Sequence, residues 1–304
     1  VTVRFCTEGS LAAGERLAGW GAHPEKVLLV RWPKSKWRFS ARVAENMPPE
    51  VEAAVTRAAE AGWRVNLIDR KGETPGRHRV HVGPGARSTE VATGDLAAVI
   101  DAVVRGGPAL TRAGLRPESR MQILCCTHGK HDRCCAKWGF PLYKTLDRET
   151  RATGLAEAWE VTHIGGCRLS AGVLVLPSRR KYGRMRPEDV PAFLAAEAAG
   201  RPYLPCYRGA ADLAPAAQAA EVAGLRHLAA AGIRGRATVE RDTTTGRFRV
   251  LCGRAVAEVS VAPEEVRAHG NCNGLSSGSD ITPRTGWRAT VGTVSLPASR
   301  EAAR

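Results

Sequence analysis

Four of the nine cysteines, Cys125, Cys126, Cys134 and Cys135, bracket one short loop, CCTHGKHDRCC. A second segment, WEVTHIGGCR, carries His163 and Cys167 four residues apart. Gly129 allows the first loop to fold its thiols toward one point. Gly165 and Gly166 allow the second to bend sharply and bring backbone N–H groups against sulfur. Arg133, Lys130 and Arg168 favour thiolates electrostatically. Soft and borderline ligands in two pairs suit either a zinc ion or a two-iron cluster. The neighbouring polar residues have plainer roles: His128 packs or hydrogen-bonds beside the ligands, His131 is a solvated loop histidine, and Asp132 ties the loop through backbone N–H bonds. Cys125 reads as a buried strand residue, Cys252 as core, and Cys6 and Cys206 as isolated structural cysteines. His269 and Cys272 have a His-x-x-Cys spacing with no second pair, so a loose loop is expected there.

The elements that must position these residues alternate between strand and helix. In the middle third the order is a strand over 121–125, the cysteine loop, a helix over 136–146, strands over 158–163 and 172–176, and a helix over 187–199. That order fits a thioredoxin-like sandwich. The first third reads as an α/β unit, with strands over 26–32, 63–69 and 77–82. Its helices cover 48–62 and 95–104, the second capped by Asp95. Residues 106–118 read as a linker. In the last third, residues 211–231 form an Ala-rich helix broken near Gly224. Strands follow over 237–240, 248–252 and 256–261, then a mobile Gly/Ser-rich loop over 271–278 and a strand over 287–291. Thr243-Thr244-Thr245-Gly246 is a hairpin loop. The resulting division is 1–115, 116–208 and 209–304. No internal repeat is evident, and no Gly-x-Gly-x-x-Gly follows the first strand to invite a dinucleotide.

Length and composition narrow the class. The 304 residues are 43% hydrophobic, enough for two or three domains with real cores. Nine cysteines are too few and too clustered for a disulfide scaffold. No apolar run spans a bilayer and no leader pattern opens the chain, so a soluble cytoplasmic protein is expected. The net charge of +15 attracts acidic partners. Without any recognition-helix, finger or RNA-binding signature, a nucleic-acid partner is not supported. The densest basic run, Arg179-Arg180-Lys181 to Arg186, reads as a solvated surface, and docking of an acidic redox partner is the other use of such charge.

CTHGKHDRCCA, WEVTHIGGCR and Tyr182-Gly183-Arg184 together resemble the sucrase/ferredoxin-like family, strongly over residues 118–208 and more weakly from Cys6 to Pro33. The resemblance implies a thioredoxin-like ferredoxin domain, a [2Fe–2S] cluster and one-electron transfer to redox partner proteins rather than catalysis. It also implies the ligand set. Cys126 and Cys135 go to one iron, and His163 and Cys167 to the other, with Gly165, Gly166 and His128 beside them. Cys134 competes with Cys135 for the second loop position. Position 167 is Cys where histidine-ligated members carry a second His. One imidazole among three thiolates places the potential between plant-type and Rieske centres. An exposed distal nitrogen on His163 would make that potential fall with rising pH. A structural zinc site on the same ligands and a cluster-free dithiol redox protein are the alternatives. No paired-carboxylate glycosidase site can be placed on the chain.

Overall fold

The computed structural model describes residues 4–83 and 86–296. Among the described residues, fourteen strands form two sheets. In chain order they are β1 (Val27–Arg31), β2 (Arg64–Asp69), β3 (Arg77–Gly83), β4 (Arg87–Ala92), β5 (Arg116–Pro117), β6 (Met121–Cys126) and β7 (Ala156–Val161). There follow β8 (Val173–Leu176), β9 (Arg180–Tyr182), β10 (Tyr207–Ala210), β11 (Thr238–Arg241), β12 (Phe248–Cys252), β13 (Ala255–Val266) and β14 (Arg284–Ser295). The helices are α1 (Cys6–Ala12), α2 (Pro49–Glu60), α3 (Thr93–Arg105), α4 (Pro108–Arg112), α5 (Phe140–Thr153), α6 (Val190–Ala198), α7 (Pro215–Ala230) and α8 (Cys272–Ser276).

The large sheet has the order β10-β9-β8-β6-β7-β2-β1-β3-β4-β5. It contains the same unit twice. β1 and β2 are parallel and joined through α2, and β3 and β4 follow antiparallel on the far side of β1. Likewise β6 and β7 are parallel and joined through α5, with β8 and β9 following antiparallel on the far side of β6. This is a mixed α/β, thioredoxin-like arrangement, and the two units meet where β2 pairs antiparallel with β7 at Ile68–Val161 and Asp69–Glu160. β1 and β6 are buried on both faces, so Val27–Val30 and Ile123–Cys126 read as continuous apolar runs rather than alternating. The loops after β1 and after β6 therefore emerge near one another, and only the second carries cysteines.

The last third forms the second sheet, β11-β12-β13-β14, an antiparallel meander against which α7 packs. Among the described residues no helix is long and apolar enough to cross a membrane.

Several elements depart from expectation. Residues 106–118 are not a linker: they hold α4 and β5, and β5 completes the sheet edge beside β4. Asp95 lies in the first turn of α3 but does not cap it; Ala92 occupies the cap without a side-chain bond. The 271–278 stretch carries α8, opened by Asn271 accepting the Gly274 N–H, and its Cys272 is fully buried. The basic run is not a solvated surface. Arg180 and Lys181 are buried on β9, next to the edge strand β10, with Arg180 bonded to Glu197 at 2.7 Å.

Helix α7 runs unbroken through Gly224. A Cβ there would lie 2.7–2.8 Å from three side-chain atoms of Val250, so the glycine lets β12 approach the helix instead of ending it. Gly224→Ala is expected to destabilise the protein by about 1–2 kcal/mol. Overpacking against Val250 outweighs the helix propensity gained. Urea unfolding measures it, and the relieving double substitution with Val250→Ala should recover part of the loss.

His81, on β3, sits edge-on to Trp159 with its Nε2 unpartnered. Burial pushes its pKa from 6.5 down to about 4. Between those values the unfolded chain takes up a proton that the native imidazole refuses, so stability is full above pH 6.5 and falls as the pH drops. The contribution amounts to about 3 kcal/mol by pH 4. His81→Phe should flatten the acid limb of a stability–pH curve measured by denaturant unfolding at fixed temperature.

Candidate metal centre

The centre lies at the end of β6, where the pleat separates the two members of the first doublet. Successive side chains of a strand point to opposite faces. Cys125 faces the α5 side and its thiol meets the Gly139 carbonyl at 3.4 Å. Cys126 faces the other side, among Cys135, Cys167 and Ile164. The chain then turns, and Cys135 opens a π-helical turn, Cys135–Gly139, that leads into α5. Gly139 is required in this turn: a Cβ would stand 2.0 Å from the Cys126 carbonyl oxygen. Such turns widen a helix locally and recur at functional sites.

From β7 the chain enters the second loop, where Gly165 and Gly166 both adopt positive φ, 92° and 79°. This brings Cys167 to 3.2 Å from His163 Nδ1. Cys126, Cys135 and Cys167 pack in one buried cluster, with the Cys135 and Cys167 donor atoms within 4.8 Å of each other and the Cys135 thiol 3.6 Å from the Ser170 hydroxyl. The structure thus strings four side chains in the order Cys126, Cys135, Cys167, His163. No set containing Cys126 brings three donor atoms all within 4.8 Å of one another among the described residues. A mononuclear tetrahedral ion needs all its donors around one point, whereas two linked metals accept two pairs.

His128 is buried and fixes the second loop. Its Nδ1 accepts the His163 N–H at 3.3 Å, so its Nε2 carries the proton and donates to the Arg38 carbonyl at 2.6 Å. Arg38 belongs to the loop after β1, so the first unit braces the site of the second. His131 is not a solvated loop residue. Its ring lies 4.1 Å from that of His163 on one side and 4.8 Å from that of Phe39 on the other. Burial, then the nearby cations, hold the His163 pKa down at about 3, so the ring is neutral and free to bind a metal. The neighbouring Cys135 thiol and burial push the Cys126 thiol well up.

Three cations grip the backbone of this loop. Arg64 donates to the His163 carbonyl, Lys181 to that of Ile164 at 2.7 Å, and Arg208 to that of Gly165 at 3.4 Å. Among the described residues none of the three has an acidic side chain within ion-pairing distance. Burial lowers the pKa of Lys181 well below the usual lysine value and brings that of Arg208 down to about 9. Gly166 makes room for this arrangement, since a Cβ there would stand 2.7 Å from the Arg208 guanidinium. Buried cations without partners are costly, and they surround a place where an anion would be stabilised.

Residues 17–209 match the sucrase/ferredoxin-like family, Suc_Fer-like. The chain belongs to the sucrase/ferredoxin-like family. Among solved structures, the wild-type thioredoxin-like [2Fe–2S] ferredoxin from Aquifex aeolicus is similar at 16% identity and a TM-score of 0.27, covering 30% of this chain and 97% of that one. A cysteine-to-serine variant of that ferredoxin is similar at 16% identity and a TM-score of 0.26, covering 29% of this chain and 96% of that one. No curated protein matches.

The family match takes in both units of the large sheet, more than the motif-bearing 118–208 stretch. Of the predicted residues, Cys126, Cys135, His163, Cys167, His128, Gly165 and Gly166 come together at this centre. Cys134 turns away from it and joins Cys6 and Cys272 instead. Cys6 is thus not isolated, and Cys272 sits buried in α8 rather than in a loose loop, both contrary to the expectation from sequence. Tyr182 and Arg184 do not touch the four ligands: Tyr182 bonds Glu197, and Arg184 bonds Ser10 and the Glu15 carbonyl. The three cations had no signal in sequence beyond their charge: Lys181 stands in the densest basic run of the chain, where nothing marks it as buried.

Proposed function

We propose that the protein is a one-electron carrier in which Cys126, Cys135, His163 and Cys167 hold a [2Fe–2S] cluster. The observation that carries this reading is the gathering of Cys126 and Cys135 from one loop with Cys167 and His163 from the other, on a loop whose backbone is held by three cations without acidic partners among the described residues. The residues present fit such a group: soft donors in two pairs, a glycine pair that admits close backbone approach, and positive charge to offset the thiolates. The cluster would supply a reversible one-electron couple. The chain's own residues would set its energy. Arg64, Lys181 and Arg208 favour the more negative, reduced state. His128 holds the His163 backbone and with it the orientation of the imidazole.

The aromatic series His163, His131, Phe39 leads from the site to the surface, where the Phe39 side chain is 59% exposed. Arg38 and Arg42 stand beside it in the chain and Lys130 precedes His131, all exposed, with Lys130 paired to Glu45 at 3.6 Å. This is the face we assign to an acidic redox partner, because complementary charge raises the encounter rate. Reversing Arg42 and Lys130 to glutamate is expected to slow electron exchange with an anionic acceptor by about tenfold at low ionic strength, and the difference should shrink with added salt. Stopped-flow oxidation across a salt series measures it; a salt-independent rate in the unmodified protein would move the partner elsewhere.

Anaerobic purification of the full chain tests the cluster itself. Two irons and two sulfides per chain, a brown colour, and an electron spin resonance signal appearing on one-electron reduction are expected. A colourless chain holding only zinc on Cys126, Cys135, His163 and Cys167 would overturn the proposal, as would metal-free protein with a reactive dithiol.

A further inference from the structure

The second doublet divides between two places. While Cys135 faces the centre described above, the Cys134 thiol lies 3.4 Å from that of Cys6 and 3.3 Å from that of Cys272, and Cys6 and Cys272 close the triangle at 3.7 Å. All three are fully buried. Asp132 stands at the same point: its two carboxylate oxygens lie 4.0 and 3.8 Å from the Cys6 thiol. One of those oxygens accepts the Cys134 N–H and the other the Cys272 N–H, each at 2.8 Å. The four donor atoms all lie within 4.8 Å of one another.

We propose that Cys6, Cys134, Cys272 and Asp132 form a second, mononuclear metal site that takes zinc. A tetrahedral ion with Zn–S bonds of about 2.3 Å sets its sulfurs about 3.8 Å apart, close to the triangle observed. A disulfide would use two of the thiols and strand the third. A four-iron cluster would spread them much further, because each thiolate then caps a different iron. Each Asp132 oxygen accepts one N–H and keeps a lone pair, so the carboxylate can complete the tetrahedron. The sulfurs are also preorganised by donors: the Thr7 N–H points at Cys134 and the Cys6 N–H at Cys272. On binding, the three thiols release their protons to solvent and no electron moves.

The site is independent of the cluster reading. Only Cys134 and Asp132 fall within the family match over 17–209, whereas Cys6 precedes it and Cys272 follows it. A metal here would staple both flanking segments, through α1 and α8, onto the loop that carries Cys126 and Cys135. Two centres would then share one loop, with Asp132 between them, since its carboxylate is also near Cys135 and Cys167.

Metal analysis of the full chain, together with cobalt(II) as the probe, tests the proposal. The unmodified protein should hold one zinc per chain besides any iron. The double substitution C6S/C272S should lower zinc by about tenfold or more and leave iron and sulfide unchanged. C126S/C167S should do the reverse. Cobalt(II) added to metal-free C126S/C167S should give the intense visible bands of a tetrahedral thiolate site, and this readout stands even if C6S/C272S does not fold. Absence of those bands, absence of zinc from the unmodified protein, or loss of iron rather than zinc from C6S/C272S would overturn it.

Discussion

Serine in place of Cys126 is expected to leave the purified chain with little iron, while serine in place of its neighbour Cys125 leaves the full complement. The two residues differ in chemistry only through the pleat of β6. Cys126 is aimed at Cys135 and the site, and Cys125 at the Gly139 carbonyl on the opposite face. Losing a partner of a ligand typically lowers metal affinity about 10–100-fold, and losing a ligand should exceed that. The same contrast is expected of the second doublet: C135S should empty the centre. Iron and sulfide per chain, with the visible spectrum of anaerobically purified protein, measure all of these. If C125S emptied the centre and C126S did not, the face assignment of β6 would be wrong and the proposed ligand set with it.

Lys181→Met is expected to shift the potential of the centre negative by on the order of 70 mV. Two unit charges roughly 10 Å apart at an effective dielectric of about 20 interact by about 1.7 kcal/mol, and a one-electron couple reports an interaction of that order as a shift of that size. The sign follows from the extra negative charge of the reduced state, which a buried cation favours. Methionine keeps most of the volume but leaves the Ile164 and Ala22 carbonyls without the ammonium that bonds them at 2.7 and 3.2 Å. Some loss of stability is therefore expected too. A merely structural role would lower the melting temperature and leave the potential where it was. Voltammetry on Lys181→Met beside Lys181→Arg separates the two, because arginine keeps the charge and should hold the potential within a small part of that shift.

Much of the architecture was legible in the chain because it is written in local pattern. The continuous apolar run of β1, the apolar start of β6 and the helix stops at Gly62 and Gly200 depend on residues near one another in sequence. The strands that escaped notice, β4, β5, β9 and β10, are short or polar, and they exist because a neighbouring edge supplies their hydrogen bonds. Gly224 was misplaced for a related reason. A glycine reads as a break until the partner surface, here Val250, shows that closeness is what it provides.

The sequence by itself picked out the two segments whose sulfur and imidazole donors meet at the centre, since that spacing, in a chain with too few cysteines for a disulfide scaffold, leaves few other uses, but it gave no hint that Cys6 and Cys272 join Cys134. It determined the family through the same two segments. Only the tertiary structure decided how the thiols divide. Cys134 and Cys135 are adjacent in the chain, yet one turns toward Cys167 and the other meets Cys6 and Cys272, residues 128 and 138 positions away. Burial of a charge is equally invisible along the chain. Lys181 and Arg208 look like surface until the sheet closes over them, because desolvation depends on what packs from every side and not on what stands next in line.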